Sequence, residues 1–151
     1  MKRRSARVVA VQCLYQMEMN QVPAHEALRA AMEEALTDNE SGTDVTDADE
    51  LLAYVRGLLD HLVPRIPEID GMLSQFLQGY QVERLSRVDR EVLRVAVYEM
   101  IYSNDVPPKV AVNEAIEVAK HFGTEESGKF VNGVLGKMVK QVDELKAQAN
   151  A

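Results

Sequence analysis

Apolar residues return at every third or fourth position along this chain, in runs stopped by proline, glycine or short polar stretches. Nowhere do apolar and polar residues alternate over the length of a strand, so the pattern predicts helices and no sheet. A first helix is expected over residues 4–19, ending before Pro23, and a second over residues 23–36 with proline at its first turn. The polar stretch 37–46 (TDNESGTDVT) reads as a loop. A third helix starts near Thr46 with Asp47, Asp49 and Glu50 against its positive end, and Pro64 stops it. Pro67 opens a fourth, which ends at Gly79. Ser86 caps a fifth, with Val88, Val92, Leu93, Ala96, Val97, Met100 and Ile101 inward. A sixth spans residues 108–122 and ends at Gly123; Thr124 caps a seventh that continues to about Lys146. The expectation is an all-α bundle of about seven helices. It is one domain over residues 1–151, in two small helical subdomains of about 1–64 and 65–147.

Composition narrows the function. With 151 residues the chain buries enough surface to fold without disulfides or metal. Its single cysteine, Cys13, allows no internal disulfide, and no apolar run reaches membrane-spanning length. A soluble, cytoplasmic protein is expected. The net charge of -7 excludes a protein that coats nucleic acid by bulk attraction. Its distribution is uneven, however. Residues 1–20 carry Lys2, Arg3, Arg4 and Arg7 against Glu18 alone, whereas residues 24–50 are acidic apart from Arg29. Screening acts over about 8 Å, so a local basic turn still attracts phosphate despite an acidic body.

Enzyme and metal signatures fail on inspection. Residues 123–130 (GTEESGKF) have the spacing of a phosphate-binding loop, but the hydroxyl position is Phe130. Glu125 and Glu126 would also repel a triphosphate, and a helix rather than a strand precedes the segment. His25, His61 and His121 stand at no ligand spacing with one another or with Cys13, so neither metal nor cofactor is expected.

Three features remain. On a helix, Arg3, Arg4 and Arg7 share one arc, with Val11 and Leu14 further along it. The basic turn is therefore expected to project beyond the bundle and grip phosphate. It also fits an ordinary solvated start. Phe130 beside Lys129 fits a base-stacking pair or the first core residue of the seventh helix. The mixed charges Glu83, Arg87, Asp89, Arg90, Glu91 and Arg94 fit a partner surface or mere solubility.

Several segments together resemble the bacterial NusB family. The start contains the pattern R-x-x-A-x-Q-x-L-Y at Arg7, Ala10, Gln12, Leu14 and Tyr15. The segments DREVLRVAVYE (89–99), VPPKVAVNEAIEVAK (106–120) and FGTEESGKFVNGVL (122–135) match the family's blocks in order and spacing. The resemblance implies a non-enzymatic, all-helical factor in the RNA polymerase antitermination complex, notably in ribosomal RNA operons. It would bind boxA RNA with ribosomal protein S10 (NusE), as monomer or homodimer. It further implies RNA contacts from Lys2, Arg3, Arg4, Arg7, Gln12, Glu126, Lys129 and Phe130, and S10 contacts from Tyr15, Glu83 and Asp89. Ser5 and Gly136 depart from the family pattern, at positions where relatives often carry a basic residue and Asp. Two alternatives remain at this point. One is a helical module of the kind attached to ribosomal RNA cytosine methyltransferases, disfavoured by the lack of a Rossmann-like strand and Gly-rich loop. The other is an adaptor that binds protein alone.

Overall fold

The computed structural model describes residues 3–37 and 48–149. Among these residues every regular element is helical, and the chain divides into two compact units, Met1–Pro64 and Arg65–Ala151. The loop expected over residues 37–46 and the start of the third helix at Thr46 fall almost wholly outside the described residues.

The first unit holds α1 (Arg3–Asn20), α2 (Ala24–Thr37) and α3 (Ala48–Leu62), each packed on the other two. Ala6, Ala10, Ala27 and Ala31 are fully buried, and such small residues let α1 and α2 approach closely. Leu51, Val55, Leu59 and Leu62 close the core from α3, their spacing following the helical period. Gln21 ends α1 in the left-handed region, with φ of 53°. Pro23 then starts α2, its carbonyl accepting from the Glu26 and Ala27 amides at 3.1 Å.

The second unit holds α4 (Ile66–Ser74), α5 (Arg87–Val97), α6 (Pro108–Phe122), α7 (Glu125–Val139) and α8 (Val142–Ala149). Ser86 caps α5, its hydroxyl accepting the Asp89 amide at 3.2 Å, and Thr124 caps α7 by accepting the Glu126 amide at 3.2 Å. The residues expected to form the core face of α5 are buried, except that Val88 is half-buried. The helix widens into a π turn at Tyr98–Tyr102 before Ser103 stops it.

Two boundaries differ from expectation and a third, at Gly123, is met by other means, each for a local reason. The fourth helix stops at Ser74 rather than Gly79, because two tight turns follow that bury Phe76 and Leu77. Gly123 ends α6 without left-handed backbone (φ −131°). There the need for glycine is space, since a Cβ would lie 2.8 Å from Ser127 Oγ. The long final helix is two helices. Gln141 donates to the Met138 carbonyl at 2.9 Å in a tight turn, and α8 is redirected so that Val142 and Leu145 bury and the helix packs on the π turn.

Candidate nucleic-acid interface

The basic turn lies at the N-terminal end of α1, where unsatisfied amides already give partial positive charge. No acidic residue occupies that first turn to offset it. Arg3 and Arg4 are exposed, and the Arg3 guanidinium lies 5.6 Å from the centroid of the Tyr54 ring on α3. That contact holds one cation in place while leaving it in solvent. Arg7 behaves differently from the expectation that it projects with them: it is only 5% exposed. From Ser5 to Val11 every residue of α1 is buried, so one turn into the helix there is no solvent side for a long cation to occupy. Ser5 shares that burial, so a basic side chain there would be enclosed too. Lys2 lies outside the described residues. Gln12 and Tyr15 are half-buried further along α1.

In the second unit α7 brings Glu126, Lys129 and Phe130 together. Lys129 and Glu126 form a loose ion pair at 3.7 Å, with both side chains mostly in solvent, so it restrains the lysine little. Phe130 is half-buried, neither a core residue nor a free one. Its ring stands edge-on to Tyr80, 6.2 Å between centroids at 74°. Tyr80 is 63% exposed. Gly79 places it: a φ of 76° gives the left-handed backbone that closes the turn in which the Tyr80 amide donates to the Leu77 carbonyl at 3.0 Å. A cleft of about 250 Å³ opens between this turn and α7, lined by Tyr80, Lys129, Phe130, Gly133 and Lys137 among others.

The segment with phosphate-loop spacing is the cap and first turns of α7, following α6. Cys13 is buried, and burial pushes its thiol up to about 12. Among the described residues no group of three or more His, Cys, Asp and Glu could hold a metal, and no helix is long and apolar enough to cross a membrane.

Glu83 is exposed in a short turn, Val82–Arg84, and Asp89 is half-buried in the first turn of α5. Arg90, itself buried, donates from Nη1 to the Val82 carbonyl at 3.1 Å, which fixes that turn against α5. The reading of the charges around the start of α5 as a solvated face is corrected in part, since Arg90 and Glu91 are buried. Arg94 explains one of them. Its guanidinium takes both oxygens of Asp70 on α4 (2.9 and 2.7 Å) and both of the fully buried Glu91 (2.9 and 3.3 Å). Burial alone would lower the basicity of Arg94, but its bonds to Asp70 and Glu91 raise it above its already high ordinary value.

The sequence model described as the NusB family matches residues 4–140. The chain belongs to the NusB family. The transcription antitermination protein NusB of Bacillus subtilis (strain 168) is 38% identical over 144 residues, covering 95% of this chain and 99% of its own. That of Ruminiclostridium cellulolyticum is 37% identical over 141 residues, covering 93% and 90%. Two solved structures agree in fold. The T. maritima NusB crystal structure is 34% identical with a TM-score of 0.72, over 93% of this chain and 92% of that one. A crystal structure of antitermination factors NusB and NusE in complex with dsRNA is 29% identical with a TM-score of 0.76, over 91% and 96%.

Within this NusB-family chain, reasoning from sequence missed Tyr80 and Lys137. The available signal was a large aromatic placed directly after a glycine, between Gln78 and Gln81, at the end of an apolar run. The basic turn of α1 and the cleft beside α7 belong to different units.

Proposed function

We propose that this protein is a transcription antitermination factor. It binds boxA RNA together with ribosomal protein S10 (NusE) within the RNA polymerase antitermination complex, in the cytoplasm and without catalysing a reaction. The observation that carries this reading is the near full-length match to antitermination proteins, including a similar protein solved with NusE and dsRNA. The residue roles follow from exposure and charge. Arg3 and Arg4, with Lys2, take backbone phosphates at the end of α1, where helix and side-chain charge have the same sign. Arg7 and Gln12 position that turn from within. Lys129 takes phosphate beside Phe130, which stacks on a base, and Glu126 lines the same RNA surface one turn before them. Tyr15, Glu83 and Asp89 face NusE. The two carboxylates suit a basic ribosomal protein, and their electrostatics act chiefly on association rate.

The test is fluorescence anisotropy of labelled boxA RNA, titrated with the protein alone and with NusE. Binding that tightens with NusE and exceeds binding to a scrambled RNA is the expected result. Equal affinity for both RNAs, or none in either condition, would refute the reading and leave an adaptor that binds protein only.

A further inference from the structure

We infer that Tyr80 and Phe130 form a corner that captures one unpaired RNA base, with Lys129 and Lys137 neutralising the phosphates on either side; this deepens the RNA-binding reading and rests on it. Two rings meeting at 74° with centroids 6.2 Å apart leave a right-angled recess. A flat base stacked on one ring sets its edge against the face of the other, satisfying both aromatic geometries together. Tyr80 is among the few large apolar side chains left exposed among the described residues, and it lines the same cleft as Phe130. Packing alone does not account for a ring held 63% in solvent by a left-handed glycine.

The floor of the recess supports the same occupant. Gly133 lies one turn beyond Phe130 on the same face of α7, and a Cβ built there meets no atom within 4 Å. A side chain at this position would enter the cleft rather than the protein. Lys129 and Lys137 stand one turn to either side of Gly133 and are exposed. Two cations flanking an aromatic recess complement a base with a phosphate on each side. A base inside a duplex cannot enter, because its faces are already stacked. The corner therefore selects single-stranded RNA.

The experiment places 2-aminopurine at successive positions of boxA RNA and measures its fluorescence and anisotropy with the protein and NusE. Wild type should quench the probe at one position. Tyr80→Ala should abolish that quenching and weaken single-strand binding about tenfold, as expected for one stacked base. Tyr80→Phe should restore both, and affinity for a duplex of the same sequence should not change. Gly133→Leu should give the same loss with an unchanged or higher melting temperature, separating a blocked cleft from a damaged fold. No RNA binding by wild type, with or without NusE, overturns the antitermination reading and the corner with it. Wild-type binding matched in affinity and quenching by Tyr80→Ala and Gly133→Leu overturns the corner alone. Tyr80→Ala that loses NusE in the absence of RNA overturns it in favour of a protein contact.

Discussion

Replacing Arg94 by alanine tests whether charge inside the second unit is structural. Its side chain is 11% exposed, and it bridges Asp70, a quarter exposed, with Glu91, which is not exposed at all. The two carboxylates respond differently to the loss. Asp70 rehydrates, so its share of the cost is that of a half-solvated pair, about 1 kcal/mol or less. Glu91 cannot reach water and loses two charge-assisted hydrogen bonds, at 2.9 and 3.3 Å. Removing one partner of a buried pair costs roughly 3–5 kcal/mol, so Arg94→Ala should lose about 3–4 kcal/mol. At this chain length that corresponds to a fall in Tm of roughly 10 °C.

Urea denaturation followed by far-UV circular dichroism measures the change, and a second variant identifies its source. If the cost comes from Glu91 losing the Arg94 guanidinium, the pair Arg94→Met with Glu91→Leu should recover most of it, because apolar replacement of a buried ion pair is often neutral or better. A loss below about 1 kcal/mol for Arg94→Ala, or no recovery in the double variant, would refute the reasoning and return the network to the class of screened surface pairs. RNA affinity should be unchanged where the variant is folded, since Arg94 belongs to neither proposed RNA surface.

Gln21 holds a φ of 53° without being glycine, so Gln21→Gly should raise stability by about 1 kcal/mol by relieving left-handed strain; an unchanged or lower Tm would count against that account. The Cys13 thiol is raised from 9.0 to about 12 by burial, which lowers its thiolate fraction about a thousandfold at mildly alkaline pH. Because the folded value is the higher one, the neutral thiol stabilises the fold fully below about pH 9, and that contribution is lost as pH rises through about 12. Iodoacetamide at pH 8.5 should therefore react only at the rate of unfolding, and rapid alkylation of the native protein would contradict the burial.

The helices were legible because their ends are written in local chemistry. Ser86 and Thr124 accept the amides that their positions implied, and Pro108 stands in the first turn of α6. What was not legible depended on neighbours distant in sequence. Arg90 and Glu91 read as surface because charge usually is; the Arg94 guanidinium, which Glu91 shares with Asp70 from 24 residues earlier, shows how that carboxylate can be buried. Arg7 shares an arc with Arg3 and Arg4, yet every residue of α1 from Ser5 to Val11 is buried. No proline or glycine marks the break between α7 and α8, which packing against the π turn imposes. Lys129 and Phe130 stood out from sequence, but core and exposed readings were both open, and the half-buried ring combines the two. Tyr80 joins it across a span of 50 positions in sequence, a juxtaposition that periodicity cannot report.

Arg7 also decides how strongly salt should weaken RNA binding by the protein alone. A net charge of -7 gives no general attraction to RNA, so binding depends on the few cations that reach phosphate. Among the described residues of the two proposed surfaces these are Arg3, Arg4, Lys129 and Lys137, all exposed, while Arg7 is enclosed. Each phosphate contact on a single strand contributes about −0.7 to the slope of log affinity against log salt, so four give about −3. That slope weakens binding roughly fifty-fold between about 50 and 200 mM salt, and a contact from Lys2 would steepen it to about −3.5. Arg4→Ala should flatten it by about 0.7, whereas Arg7→Ala should leave it unchanged even if the fold weakens. Equal flattening by both variants would mean that Arg7 leaves the interior to meet the RNA, and that the first turn of α1 opens on binding.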